Sequence, residues 1–233
     1  MNTVIESGII KKNKKKNIKY HMILLDESYL TDVMYLQEKI IHEVNNSHLY
    51  DPVTLDSMKK RFMREGRIIG AFSDHRIIAF RVIHFPPHGD DNFGIDIDLP
   101  EDELHKVAHL AATVVHPAYR GNSLAFKMNM HAIKIIRDLD YCHLCSTVSP
   151  SNYANIVTLF KTGLIIKEVK EKYGGKLRYI FYQNLSNPIT MKTKEEINIR
   201  IDDIYNQKKL LWKGYYGYKI NRNDTKFEII YSN

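Results

Sequence analysis

The residues best suited to chemistry stand together in one short run, Arg120-Gly121-Asn122-Ser123-Leu124-Ala125. An apolar stretch, 107–115, comes just before it and reads as a buried strand, which His116-Pro117 ends; from Gly121 to Arg137 the chain reads as a long helix. A strand that turns sharply into a helix leaves successive backbone N–H groups without partners, and together they make a cradle for phosphate oxygens. Small residues let a phosphate approach the backbone closely. The same pattern also suits an ordinary strand-to-helix turn. A second cluster, Cys142-His143-Leu144-Cys145, has redox or metal spacing. A zinc site needs a second pair of ligands, and the sequence offers none. The cluster also lies in an expected strand, where residues three apart point to opposite faces. No metal site is expected.

Charge narrows the function classes. The 233-residue chain carries a formal net charge of +7. Six lysines, Lys11, Lys12, Lys14, Lys15, Lys16 and Lys19, lie in one segment with no acid among them. Taking those six from 34 Lys and Arg leaves 28, against 27 Asp and Glu, so the rest is nearly neutral. A nucleic-acid-binding domain carries its basic face throughout the fold. One local run reads instead as a solvated, flexible leader over residues 1–17, so nucleic acid is not the expected partner. Apolar stretches only a few residues long give no membrane span and no secretory signal. Two cysteines exclude a disulfide scaffold and fit a cytoplasmic location.

The elements that must position the loop follow from periodicity. A strand reads over 18–25, a helix capped by Asp26 or Ser28 after it, and a second helix from Thr54 or Asp56 to Gly66. Two β runs, 67–72 and 76–85, form a hairpin. The strand 107–115 and the helix to Arg137 come next. A strand over 141–148, a helix over 152–162 stopped by Gly163, and a hairpin of 164–171 with 177–182 complete a domain over 18–186. A helix near 201–213 and a final hairpin make an α-β-β extension over 187–233. Strands and helices interleave, yet several strand pairs are hairpins. The expected fold class is therefore α/β with a mixed, mostly antiparallel sheet and helices on both faces.

Two motifs then carry a resemblance. His116-Pro117-Ala118-Tyr119-Arg120-Gly121-Asn122-Ser123-Leu124-Ala125 resembles the acyl-CoA pyrophosphate loop of the GNAT superfamily of N-acetyltransferases, which runs Arg or Gln, two residues, Gly, one residue, Gly or Ala. Arg120 matches its first position and Ala125 its last, and Ser123 stands where the family usually has Gly. Val148-Ser149-Pro150-Ser151-Asn152-Tyr153-Ala154-Asn155, followed by Phe160-Lys161-Thr162-Gly163-Leu164, is similar to the family's second cofactor motif, in which an Asn opens a helix beside the pantetheine arm. Asn152, Asn155 and Gly163 fit it. Leu159 occupies the position that often carries a Tyr donor to the leaving thiolate. The extension is similar to tails of some bacterial members.

The resemblance implies acetyl-CoA as cofactor, held by Arg120, Gly121, Asn122, Ser123, Leu124, Ala125, Asn152 and Asn155, with backbone N–H groups of Val114 and Val115 on the thioester carbonyl and pantetheine. It implies CoA lying where the two central strands splay apart, and direct attack by an amine. Alternation places Val107, His109, Ala111, Thr113 and Val115 on one face. His109 stands six residues before Val115, about where some members carry a Glu base, and an imidazole of ordinary pKa near 6.5 suits a base at neutral pH. Ala111, another expected place for an acidic residue, is silent. Tyr153, Tyr173 or solvent is left to protonate the thiolate. The acidic run Asp96 to Glu103 reads as a solvated loop or as an attractor of cationic amines. The function expected is transfer of acetyl to the primary amine of a small molecule. A non-catalytic acyl-CoA sensor, and a protein N-acetyltransferase that docks through the basic leader, are the alternatives. A homodimer stays open.

Overall fold

The computed structural model describes residues 3–43, 51–87, 89, 91–188, 195–223 and 226–233, and the chain divides into two units. The first comprises residues 1–87 and 108–139. Its elements are β1 (Val4–Lys12), β2 (Lys16–Leu24), α1 (Leu30–Glu43), α2 (Leu55–Met63), β3 (Gly66–Ser73), β4 (Arg76–His84), β5 (Val107–Val115, of which all but Val107 lie in this unit) and α3 (Leu124–Asp138). The strands lie in sequence order, each antiparallel to the next. Apolar residues at helical spacing on α1, Val33, Leu36 and Ile40, pack with Met58 of α2 against Ile23, Phe80, Val82, Ala112 and Val114 of the sheet. Thr54 caps α2 as its hydroxyl accepts from the Ser57 N–H at 3.2 Å. The α3 helix buries Leu124, Met128, Ala132, Ile133 and Ile136, a stripe at steps of four, one and three.

Where a flexible leader is expected over residues 1–17, the described residues form β1, a turn and the start of β2. Residues 4–12 pair along almost the whole of β2, with Ile10 buried and Tyr20 buried behind it. The lysine run obscures this because lysines suit an exposed edge strand as well as a leader. The turn places Asn13 and Lys14 in the left-handed region, at φ 51° and 61°, a conformation asparagine tolerates better than most residues.

The single face expected for His109, Ala111, Thr113 and Val115 is also corrected. Arg81 of β4 pairs with Thr113, but Ile83 pairs with Leu110, so β5 holds one more residue than β4 across this step. Such a bulge shifts the side-chain alternation by one. His109, paired directly with His84, therefore shares the face of Ala112 and Val114, toward α1 and α2. Thr113 pairs with Arg81, whose guanidinium reaches Asn129 of α3 on the opposite face.

The second unit comprises residues 88–107 and 140–233. Two short 3-10 turns, Ile95–Ile97 and Glu101–Lys106, precede β6 (His143–Val148), α4 (Tyr153–Thr162), β7 (Ile165–Lys172), β8 (Lys176–Asn184), β9 (Ile197–Arg200), α5 (Ile204–Trp212), β10 (Tyr216–Asn223) and β11 (Lys226–Ser232). The strand order is β6-β8-β7-β10-β11-β9, again antiparallel throughout. The expected α/β class with a mostly antiparallel sheet is the fold the chain adopts. Residues 189–194 of the connector lie outside the described residues.

The C-terminal extension is built into this unit through Gln207 of α5, which is fully buried. Its Oε1 accepts from the Tyr179 hydroxyl at 2.7 Å and the Tyr231 hydroxyl at 2.8 Å. Its Nε2 donates to the carbonyls of Arg200 at 2.9 Å and Ile201 at 3.0 Å. One amide thus uses all its hydrogen-bonding capacity to join α5 to β8, β9 and β11.

Candidate functional site

In the first unit, β5 ends at Val115, one 3-10 turn follows at Pro117–Tyr119, and α3 begins at Leu124. Gly121 has φ +82°, and nothing lies within 4 Å of where a Cβ would stand, so its backbone faces open space. Ser123, the residue before the helix, is left-handed at φ 57° and makes no side-chain cap. The first N–H groups of a 15-residue helix thus keep no side-chain cap, beside the Arg120 guanidinium. Arg120 Nε donates to the Val115 carbonyl at 3.2 Å, which holds the side chain along the loop. These groups fit a pyrophosphate: backbone donors converge on it, a glycine clears its approach, and one fixed cation flanks it.

The Asn122 side chain is engaged within the fold. Its Oδ1 accepts from the Lys11 N–H at 2.8 Å, and its Nδ2 donates to the Lys11 carbonyl at 2.8 Å and the Tyr119 carbonyl at 2.9 Å. The Asn13 N–H adds a bond to the Ala118 carbonyl at 2.6 Å. The end of the β1–β2 hairpin is therefore fastened along residues 118–122.

Farther along the same strand, Glu6 lies against α3. One carboxylate oxygen takes Lys127 Nζ at 2.7 Å and the Tyr20 hydroxyl, and the other takes His131 Nε2 at 2.7 Å. Burial pushes the Glu6 carboxyl up, but hydrogen bonds from Lys127, Tyr20 and His131 outweigh it and hold its pKa at about 2. Glu6 stands 14 to 125 positions from its partners in the chain, and no short-range spacing joins it to them.

The Val114 and Val115 backbone groups differ. The His116 N–H donates to the Ile78 carbonyl at 2.9 Å. Antiparallel alternation then turns the Val114 N–H into the same ladder, and the Val115 N–H to the opposite edge. His109 is 1% exposed, and its ring meets that of His84 edge-on with centroids 5.5 Å apart. His84 Nδ1 lies 2.9 Å from the Glu65 carbonyl, so that nitrogen carries the proton.

In the second unit, Asn152 opens α4, as expected, by a cap: its Oδ1 accepts from the Asn155 N–H at 3.2 Å. Gly163 ends α4 at φ +96°. Leu159 is a fully buried core residue. Tyr153 stacks on Phe227 with ring centroids 3.9 Å apart. Tyr173 lies in the β7–β8 turn, where its hydroxyl bonds Thr147 Oγ1 at 2.8 Å and the Arg178 guanidinium sits 5.7 Å from its ring centroid.

The acidic run 96–103 is not uniformly solvated. Asp96 pairs with Lys172 at 2.8 Å and Lys170 at 3.6 Å. Glu103 pairs with His143 Nε2 at 2.7 Å, and His143 Nδ1 lies 3.0 Å from the Tyr182 hydroxyl. Burial lowers the His143 pKa in spite of Glu103, so the ring is neutral, donating to Glu103 and accepting from Tyr182. The nearby Cys145 thiol is fully buried, and burial pushes its pKa well above the ordinary value. Among the described residues no group of three metal-ligating side chains forms a site.

The model of the acetyltransferase (GNAT) family matches residues 32–159, more than half of the chain. The chain belongs to the GNAT acetyltransferase family. It is an N-acetyltransferase of acetyl-CoA-dependent type. Solved structures share the fold. A GNAT-family acetyltransferase from Streptococcus pneumoniae superposes with a TM-score of 0.55 at 15% identity, over 71% of this chain and 98% of that one. An N-acetyltransferase from Staphylococcus aureus Mu50 gives 0.53 at 15% identity, over 71% and 98%. No curated protein matches the chain. Within this GNAT chain, β1 and the turn after it precede the matched residues. Among the described residues no helix is long and apolar enough to cross a membrane.

Proposed function

We propose that this GNAT enzyme transfers the acetyl group of acetyl-CoA to the primary amine of a small molecule by direct attack, without a covalent enzyme intermediate. The observation that carries the cofactor side is the start of α3: no side-chain cap at Ser123, an open glycine at Gly121, and Arg120 alongside. Backbone donors at Gly121, Ser123, Leu124 and Ala125 would hold the pyrophosphate, and Arg120 would add one cation. Asn122 acts through the loop it fastens. Bound acetyl-CoA supplies an activated thioester whose carbonyl develops negative charge during attack. The Val115 N–H, turned away from the β4 ladder, is the donor suited to that oxygen. Asn155 and Asn152, at the start of α4, are assigned to the pantetheine arm.

His109 is the assigned base, taking the proton that the attacking amine loses. The leaving thiolate needs little help, so Tyr153 and Tyr173 remain secondary candidates for its proton. A small acceptor is favoured by charge: apart from the six lysines of the hairpin the chain is nearly neutral, 28 basic against 27 acidic residues, with no broad surplus for a macromolecular acceptor. Calorimetric titration with acetyl-CoA, followed by a thiol-release screen over small amines and over peptide N-termini, tests the reading. Micromolar cofactor binding and turnover on small amines are expected. Turnover on peptides alone would overturn the acceptor class, and binding without turnover on either would leave an acyl-CoA sensor.

A further inference from the structure

The six lysines at the N-terminal hairpin are the largest concentration of charge in the chain, and the fold places them beside the cofactor loop. Lys11 is gripped at its backbone by Asn122, Asn13 is bonded to Ala118, and Lys12 Nζ lies 5.8 Å from the centroid of the Tyr119 ring. Lys11, Lys12, Lys14, Lys15, Lys16 and Lys19 are all exposed. Among the described residues none of the six is in an ion pair. The one acid of β1, Glu6, is already held by Lys127 and His131. The hairpin is also fixed, not trailing: the Glu6 cluster fastens its far end to α3, and the Asn122 clamp fastens its turn to the loop. A fixed group of unpaired cations next to an anion-binding helix start is a pattern with a chemical reading.

Acetyl-CoA carries two kinds of phosphate. The pyrophosphate is a diester that backbone N–H groups can serve. The phosphate on the ribose is a monoester with close to two negative charges at neutral pH, and a second charge is best met by lysine ammonium groups, which act as mobile point charges with three donors each. We infer that the β1–β2 turn of this chain is a second anion subsite, in which Lys12, Lys14 and Lys15 take the ribose phosphate of acetyl-CoA, and that it selects cofactors bearing that phosphate. The inference rests on the acyl-CoA reading of the adjoining loop. It assigns a ligand to residues that precede the part of the chain matched by the family model. The hairpin is thus an added anchor for the end of the cofactor remote from the thioester.

The test compares CoA with 3′-dephospho-CoA by calorimetry, in the full-length protein and in the triple variant Lys12→Ala, Lys14→Ala, Lys15→Ala. The unaltered protein is expected to bind CoA about tenfold or more tighter than dephospho-CoA, the difference one good charge-assisted contact supplies. The variant should bind both ligands equally, with the dephospho-CoA affinity unchanged and a shallower salt dependence for CoA. Because Lys12 also lies over Tyr119, the charge reversal Lys15→Glu at the exposed tip serves as a second variant, and it should lower affinity for CoA only. Equal losses for both ligands, or no preference in the unaltered protein, would overturn the subsite while leaving the acyl-CoA reading intact. Absence of binding by either ligand in the unaltered protein would overturn the acyl-CoA reading itself, and the subsite with it.

Discussion

The carboxamide of Asn122 holds Lys11 by both its backbone N–H and its carbonyl, across 111 residues of sequence. A side-chain amide that presents one donor and one acceptor to a strand edge behaves as one more residue of that strand. The loop before α3 and the N-terminal hairpin are thereby one structural piece. Replacing Asn122 with Ala removes three hydrogen bonds at a half-buried site that solvent reaches, so the cost in stability is modest, about 1–2 kcal/mol. The effect on the cofactor is larger, because the loop loses its brace. Asn122→Ala is expected to raise the Kd for acetyl-CoA severalfold and to leave kcat at saturation near its original value. Amide exchange at Lys11 should quicken as well. If Kd and the exchange rate both stay unchanged, the clamp has no role in holding the loop.

Glu6 makes that brace pH-dependent. Its carboxyl has an ordinary pKa near 4.5 and is held at about 2 in the folded chain. A carboxyl with a depressed folded pKa contributes stability above its unfolded pKa, and that contribution is lost as pH falls toward the folded value. The window is therefore pH 4.5 down to about 2. Solvent reaches part of the cluster, so the contribution is discounted to roughly 1–2 kcal/mol. Glu6→Gln is expected to lower Tm at pH 7 by a few degrees and to flatten the acid side of the stability profile between pH 4.5 and 2. Parallel Tm–pH curves for the two proteins would show that the cluster carries no linked stability.

Gln207 governs the C-terminal extension. The variant Gln207→Leu keeps the volume but leaves two tyrosine hydroxyls and two carbonyls without their partner in a buried place. Such unsatisfied groups cost about 1–3 kcal/mol each when no water reaches them, so a loss of roughly 4 kcal/mol is expected. Thermal unfolding should fall by about 10 °C, given the Tm shift per kcal/mol for a chain of this size. Far-ultraviolet circular dichroism at 20 °C should remain that of the folded enzyme. A Tm within experimental error of the original would mean that α5 is held by its apolar contacts alone.

The turn before α3 and the two ends of α4 were legible because each is local: a turn, its glycine and the helix after it are neighbours in sequence. Asn152 and Gly163 sit where their spacing puts them, at the two ends of α4. Three features were not legible, each for a different physical reason. The strand β1 was hidden because exposed lysines serve a leader and a strand edge equally well. The face of His109 was misread because a β-bulge changes alternation without any residue to mark it; two alanines stand at the step. The Glu103–His143–Tyr182 chain was missed because its members come from a turn, β6 and β8, and the antiparallel register of β6 with β8, His143 opposite Asn184, is what brings His143 and Tyr182 together. Local patterns report elements, and the partners of a buried polar group are fixed by register.

His109 is where catalysis is tested most directly. It lies on β5 before the bulge, buried, on the face of Ala112 and Val114, with the His84 ring edge-on beside it. The Glu65 carbonyl fixes the proton of His84 on Nδ1. Burial does not bar a base from acting through one ordered water. A base must be unprotonated to accept the amine's proton, so activity should fall on the acid side as the imidazole becomes charged. Glutamine preserves the size and polarity of the side chain but cannot take a proton. His109→Gln is therefore expected to lower kcat/KM by about 10²-fold, to remove the acid limb of the pH–rate profile, and to leave the Kd for acetyl-CoA unchanged. A variant that keeps both the rate and the acid limb would take His109 out of the chemistry and leave it as a packing residue of the α1 and α2 face. A variant that loses rate but retains the acid limb would place the titrating group elsewhere and reduce His109 to a positioning residue.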